Sequence, residues 1–358
     1  MSVFYVLLFV PIALQHFVIG KQSTDYEKKN RYALFVFFLL WFALIAFRHK
    51  NIGNDTLNYF NAFLRYSSMS WNNLLSITKE VGFAYFNKII SLISKEPQVF
   101  LAITAFMTIA MIYPTYRRLH SDASLTIVLF CMMSTFVMAF SGIRQMLAIG
   151  IGFIAYEFTH RKKLVPFILI VILAMTIHMS AFMLAFMYPV YHAKITKKWL
   201  YVVIPVIALV FAFNRQIFSS VAVVLETFTE YDASITETGA YAMLILFAVF
   251  SVFSFVIPDE SKLDKETIGL RNLLLLALIL QMFAPLHTIA MRMNYYYIIF
   301  IPLLLPKIIE ARSNRMAQVA VFARHIMVVF FLVYFFYNAY TGENNLNVFP
   351  YKFFWEAA

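Results

Sequence analysis

The chain has 358 residues, of which 62% are hydrophobic and only 13% charged, with 40 Phe and 21 Tyr, and its mean hydropathy is +0.76. A soluble domain keeps roughly a quarter of its residues charged, so these proportions exclude one and predict an all-α, polytopic integral membrane protein. The net charge of +11 does not call for nucleic acid as a partner, because the basic residues cluster in short segments between apolar runs, where they orient the chain in a bilayer.

In chain order, residues 1 to 19 read as a first span and not a cleaved signal, since no basic start and no small-residue cleavage pattern is present. Residues 32 to 47 are the second span. The following stretch, 48 to 96, is too long for a structureless connection. Within it LNYFNAFL places Leu57, Phe60 and Leu64 on one helical face, and FAYFNKIISLI repeats that kind of pattern, so short helices lying at the membrane interface are predicted. Further apolar runs follow at 97 to 116, 124 to 140, 145 to 158, 164 to 191, 199 to 213, 240 to 257, 268 to 287, 293 to 309 and 325 to 340. Cys131, the single cysteine, lies inside one of them and excludes an intramolecular disulfide. Residues 214 to 239 pair an amphipathic stretch, IFSSVAVVL, with Glu226, Glu230, Asp232 and Glu237.

The run from 164 to 191 is too long for one span and carries His178 in its middle, so it divides into two short legs with His178 at the turn. With that division the short loops holding Arg117 and Arg118, Arg161 to Lys163, Lys194 to Lys198, Lys262 and Lys265, and Lys307 to Arg324 all fall inside, as positive-inside orientation requires. One membrane domain, 1 to 358, results, with about 11 to 12 transmembrane helices and outer loops at 48–96 and 214–239. Arg48, Asp55, Arg144, His178, His287, Arg292 and Tyr295 then converge on the outer face.

Those residues sit in short motifs. RHKNIGNDTLNYFNAF gathers Arg48, His49, Lys50 and Asp55; it reads either as a charged interfacial anchor, with Gly53-Asn54 a turn and Asp55 or Thr56 a helix cap, or as part of a site. In SGIRQ, Arg144 follows Gly142 at a break between helices. An arginine at the membrane boundary needs a cavity, a partner or an anion, so Arg144 is either a structural partner of Asp55 or an outer-loop glutamate, or a phosphate ligand near a helix N-terminus. His178, in TIHMSAF, is a hydrogen-bonded structural group or a base. HTIAMRMNYYYIIF sets Arg292 beside Tyr295, Tyr296 and Tyr297, a combination suited to sugar stacking and phosphate pairing as well as to an aromatic belt. No HExxH, paired-aspartate metal motif, Walker loop or GxGxxG occurs, so chemistry without a metal or other cofactor is expected.

At these positions the sequence resembles the EpsG family of Wzy-like repeat-unit polymerases. The resemblance lies in Arg48, Gly53, Asp55, Tyr59 and Phe63; in Glu80-x-Gly82; in Gly142-x-Arg144-Gln145; in His178-x-Ser180-Ala181; and in Arg292 with Tyr295 and Tyr296. It runs in order over about residues 30 to 310. Where the family often has Gly-Thr-Asp this chain has Gly53-Asn54-Asp55, which keeps the carboxylate.

The resemblance implies a metal-independent membrane glycosyltransferase in a bacterial cytoplasmic membrane, its site facing outward, that polymerises O-antigen or exopolysaccharide repeat units. The growing glycan would leave undecaprenyl pyrophosphate for a sugar hydroxyl on the next lipid-linked unit, with a flippase and a chain-length regulator of the same pathway as further partners. Arg144, Arg292 and Arg48 are the expected pyrophosphate ligands, since fixed guanidinium groups can neutralise a departing anion. His178 is favoured over Asp55 as base because a histidine's ordinary pKa lies nearer neutrality. Gln145, Tyr295, Tyr296, Tyr59 and Glu80 are expected along the glycan. Two other functions fit less well: a polytopic O-acyltransferase, which needs a polar path from a cytoplasmic donor, and a lipid-linked oligosaccharide flippase, which would carry charges through the middle of many helices.

Overall fold

Every apolar run that falls among the described residues is helical, and the chain is an all-α membrane protein. The computed structural model describes residues 2–17, 23–220, 240–341 and 346–356. The four acidic residues of the 214–239 loop lie outside that set. Helices α1 (Ser2–Phe17) and α2 (Ser23–Ala46) pack together, and α2 lies against α6 (Pro97–Leu119) and α7 (Ala123–Met132). Next come α8 (Ser134–Met138), α9 (Ile143–His160) and α10 (Leu164–Ile177). A 3₁₀ segment, Met179–Phe186, leads into α11 (Met187–Tyr191) and then α12 (Leu200–Ala212). After α13 (Asn214–Ser220), the chain finishes with α14 (Tyr241–Val256), α15 (Lys265–Gln281), α16 (Thr288–Ile298), α17 (Ile301–Glu310) and α18 (Ala317–Thr341).

Among the described residues three helices are each long and apolar enough to cross a membrane alone, and five such spans result if the bent pairs α12–α13 and α16–α17 each count as one. The remaining apolar runs are shorter than full spans or interrupted, and the interruptions have local causes. The run from 293 to 309 bends by 46° between α16 and α17, where Pro302 opens α17 and cannot donate a helical hydrogen bond. The run from 124 to 140 breaks at Met133, which is extended. The run from 164 to 191 breaks at His178, also extended, and the segment beyond it packs on α9, α10, α15 and α16. The break at His178 expected for this run is therefore present.

Helix α9 is the axis of the site. It packs on α6, on α10 and on the 3₁₀ segment, and almost all of it is buried. From Pro97 to Leu119, α6 rises about 34 Å at 1.5 Å per residue, and polar networks close the bundle at either end of it. At the Leu119 end, Arg118 binds Glu266 (2.7 and 2.8 Å) and Glu157 (2.7 Å), while the Tyr156 hydroxyl donates to Glu266 (2.8 Å). These bonds join α6, α9 and α15. At the same end Arg324 pairs with Asp122. Inside the bundle, Asn294 donates to the Ala277 carbonyl and to Gln281 (both 2.9 Å), tying α16 to α15 as polar side chains do between apolar helices.

The 48–96 segment forms the short helices α3 (Thr56–Ser68), α4 (Trp71–Ile77) and α5 (Val81–Ile93). Their inward residues are Phe63, Tyr66, Leu74, Phe83 and Ala84. Leu57 and Leu64 face away from the protein, as do Trp71, Leu75, Ile89, Leu92 and Ile93. The apolar face of LNYFNAFL is thus turned outward, the arrangement of a helix resting on a bilayer interface.

Candidate active site

Four segments meet at the Pro97 end of the bundle. Gly142 is the N-cap of α9, so Arg144 lies in the first helical turn, where unpaired N–H groups and the helix dipole favour negative charge. His178 ends α10. Glu80 precedes α5, and Arg292 lies on α16. A small cleft is lined by Glu80, His178, Met179, Ser180, Ile289, Arg292 and Met293.

Glu80 organises this cluster. One carboxylate oxygen, Oε2, forms an ion pair with Arg144 Nη1. The other, Oε1, lies 2.6 Å from His178 Nδ1 and accepts from the Met179 amide at 3.0 Å. With Nδ1–H donating to a carboxylate, the neutral imidazole keeps Nε2 as its acceptor, so the tautomer is the one a base requires. Burial pushes the Glu80 carboxyl up, yet the His178 hydrogen bond and the charges of His178 and Arg144 outweigh it and hold the group below its usual range. Because that value is lowered on folding, the stabilisation is fully present at neutral pH and is lost as pH falls through the depressed value.

The ring of Tyr59 lies under the Arg144 guanidinium at 5.7 Å and that of Phe83 at 5.9 Å, so the cation rests on two aromatic faces. Asp55 caps the start of α3 without a side-chain cap bond. It accepts instead from the Ser141 hydroxyl at 2.9 Å, two residues before α9 begins. Gln145 donates to the Arg292 carbonyl at 2.6 Å, and Ser180 shares a hydrogen bond with Tyr296 at 3.0 Å. The first bond fixes α16 against the start of α9 and the second fixes it against the 3₁₀ segment that follows His178.

Two motif glycines explain how the pieces come so close. Gly53 has φ +84°, and a Cβ there would sit 1.8 Å from the Phe140 carbonyl oxygen; only glycine takes this turn against the chain. A Cβ on Gly82 would sit 2.2 Å from Thr176 Oγ1 and 2.9 Å from its carbonyl oxygen. Gly82 therefore lets α5 touch the end of α10, which brings Glu80 to His178. Gly82→Ala should separate the two and lower activity by about 100-fold, the effect of a displacement of roughly 1 Å, with the protein still accumulating in the membrane. Catalytic rate measured against protein level checks this, and an unchanged rate would contradict it.

Arg144, Arg292, His178, Glu80, Asp55 and Tyr59 are thus brought to one region. Others of the expected site residues take different places. Arg48 is fully buried; its guanidinium donates to the Ile45 carbonyl at 2.7 Å and to Thr56 Oγ1 at 3.3 Å. Nearby, the His49 amide donates to the Lys352 carbonyl and that of Phe354 to the Phe47 carbonyl, both at 2.9 Å. Arg48 therefore closes the end of α2 beneath the 346–356 segment and is not among the residues lining the cleft. Tyr295 and Tyr296 are buried, as is Gln145, so these three lie behind the cleft and do not line it. His287 caps α16 by accepting from the Ile289 amide at 2.9 Å. The Arg144–Glu80 pair fits the outer-loop glutamate partner expected for Arg144; the bond from Glu80 to His178 was not anticipated.

Among the described residues no group of three or more His, Cys, Asp or Glu side chains is arranged to hold a metal ion. Comparison with curated proteins and with solved structures gives no match. The family model of the EpsG family, by contrast, matches residues 31–353, a range that contains each motif of the site. The chain belongs to the EpsG family.

Proposed function

We propose that this protein polymerises lipid-linked oligosaccharide repeat units, moving the growing glycan from undecaprenyl pyrophosphate to a sugar hydroxyl of the next unit. Membership of the EpsG family, a Wzy-like polysaccharide polymerase family, supplies the general role in polysaccharide biosynthesis. The observation that carries the finer reading is the cluster itself: a histidine presented as a base, Arg292 on the same cleft, and Arg144 one carboxylate away.

In this mechanism the acceptor hydroxyl loses its proton to His178 Nε2 as its oxygen bonds to the donor's anomeric carbon. The bond from that carbon to the pyrophosphate oxygen breaks, and the electron pair leaves on undecaprenyl pyrophosphate. Arg144 and Arg292 neutralise the developing charge, a task that fixed guanidinium groups perform without a metal. His178 then passes the proton to the released phosphate or to water. Tyr59 and the cleft edges would hold the sugars. Basic residues gather at the other end of the bundle, which supports an outward-facing site in a bacterial cytoplasmic membrane. A flippase and a chain-length regulator of the same pathway are the expected partners.

The test is reconstitution of the full-length protein in vesicles with the host's lipid-linked repeat unit. Products lengthened by whole repeats, with release of undecaprenyl pyrophosphate, are expected. Unextended substrate carrying a new acyl group would replace this reading with the acyltransferase one.

A further inference from the structure

We infer that Glu80 is a positioning residue that trades partners when the donor binds: the pyrophosphate takes its place on Arg144, and the carboxylate then serves His178 and the Met179 amide alone. This rests on the proposed function. Its basis is the division of labour within one carboxylate, since Oε2 faces Arg144 while Oε1 faces His178 and Met179. The residue expected to hold the substrate's anion is occupied, in the absence of substrate, by an anion of the protein.

The physical logic has two parts. A partly buried guanidinium without a counter-charge is costly, and Glu80 supplies that charge until the pyrophosphate arrives. Once Oε2 is displaced, the carboxylate keeps its bonds to His178 and Met179, so it continues to hold Nδ1–H and stabilises the imidazolium that forms when Nε2 takes the acceptor's proton. Donor binding and readiness of the base are thereby coupled through one side chain. The groups set around His178 are Glu80 ahead of α5, Arg144 on α9, and Arg292 and Tyr296 on α16, with Asp55 and Tyr59 of the α3 segment beyond Arg144. Glu80 is the one of these hydrogen-bonded to the imidazole.

Glu80→Gln keeps the shape and removes the charge. In the purified full-length protein it should bind undecaprenyl pyrophosphate about tenfold more tightly, because the competing carboxylate is gone. It should also lower kcat by about 100-fold, because the imidazolium loses its counter-ion. A residue that merely supports the fold would weaken binding and rate together. The second measurement uses the wild-type protein, so it does not depend on a variant that folds: amide hydrogen exchange in the peptide around Met179 should slow on adding undecaprenyl pyrophosphate. If the wild-type protein elongates the glycan but Glu80→Gln neither tightens binding nor lowers kcat, or if exchange near Met179 does not change, the partner trade is refuted and the polymerase reading stands. If undecaprenyl pyrophosphate fails to bind the wild-type protein and no elongation occurs, both fall.

Discussion

Arg144→Ala is expected to reduce elongation about 1000-fold while leaving the amount of protein in the membrane unchanged. The two halves of that expectation have different physical sources. The rate loss follows from removing a charge aimed at the leaving pyrophosphate, where one preorganised donor is worth about 100- to 1000-fold and a full cation more than a neutral donor. The retained fold follows from the site's geometry. Without Arg144, the Glu80 carboxylate still has His178 at 2.6 Å and the Met179 amide at 3.0 Å, so no buried anion is left without a partner. Arg144 itself is partly exposed, its side chain 31% accessible, so its removal opens no core cavity. Arg144→Lys should recover part of the loss and remain about tenfold to 100-fold slow, because an ammonium is a point charge and does not bracket two phosphate oxygens as a guanidinium does. Elongation assays normalised to membrane protein level check both variants. Disappearance of the Arg144→Ala protein from the membrane would make the residue structural.

His178→Ala should cost about 1000-fold in kcat, within the range for loss of a positioned general base. The hydrogen bond from Nδ1 to Glu80 fixes which nitrogen does the work, so substitution removes both the proton acceptor and the reason for that arrangement. Glu80 would keep Arg144 and the Met179 amide, and the break between α10 and the 3₁₀ segment comes from the extended backbone of residue 178, which alanine can adopt. The fold should therefore persist. Asp55→Asn is the matched control. Asp55 accepts from Ser141 and sits beside the start of α9, so losing its charge should lower the rate no more than about tenfold. Steady-state kinetics of the two variants side by side decide between them; a larger loss in Asp55→Asn than in His178→Ala would transfer the base to the aspartate.

Much of this architecture was legible in the chain because the bilayer leaves the sequence few choices. Helix positions followed from runs of apolar residues, and the break at His178 followed from a run too long for one span and the distribution of basic loops around it. The gathering of Asp55, Arg144, His178 and Arg292 at one end of the bundle followed from the same orientation. What sequence reasoning missed was pairing within that end. Nothing in the spacing of Glu80, Arg144 and His178, which lie on separate segments, says that one carboxylate contacts both other side chains. That contact depends on Gly82 letting α5 approach Thr176, a tertiary fact. The placement of Arg48 away from the cleft was hidden for a related reason. A charged residue at a helix end looks the same in sequence whether it faces a cleft or closes the helix, and here the 346–356 segment folds over it. Tyr295 and Tyr296 read as an interfacial belt or a sugar platform, yet both are buried in the bundle.

The most direct test of the polymerase reading is a gel profile of the host's lipid-linked and surface polysaccharide after deletion of the gene. Collapse of the ladder to a single repeat unit, restored by the wild-type gene and not by Arg144→Ala, is the predicted result. A full ladder after deletion, whether unaltered or carrying a changed substituent, would contradict it.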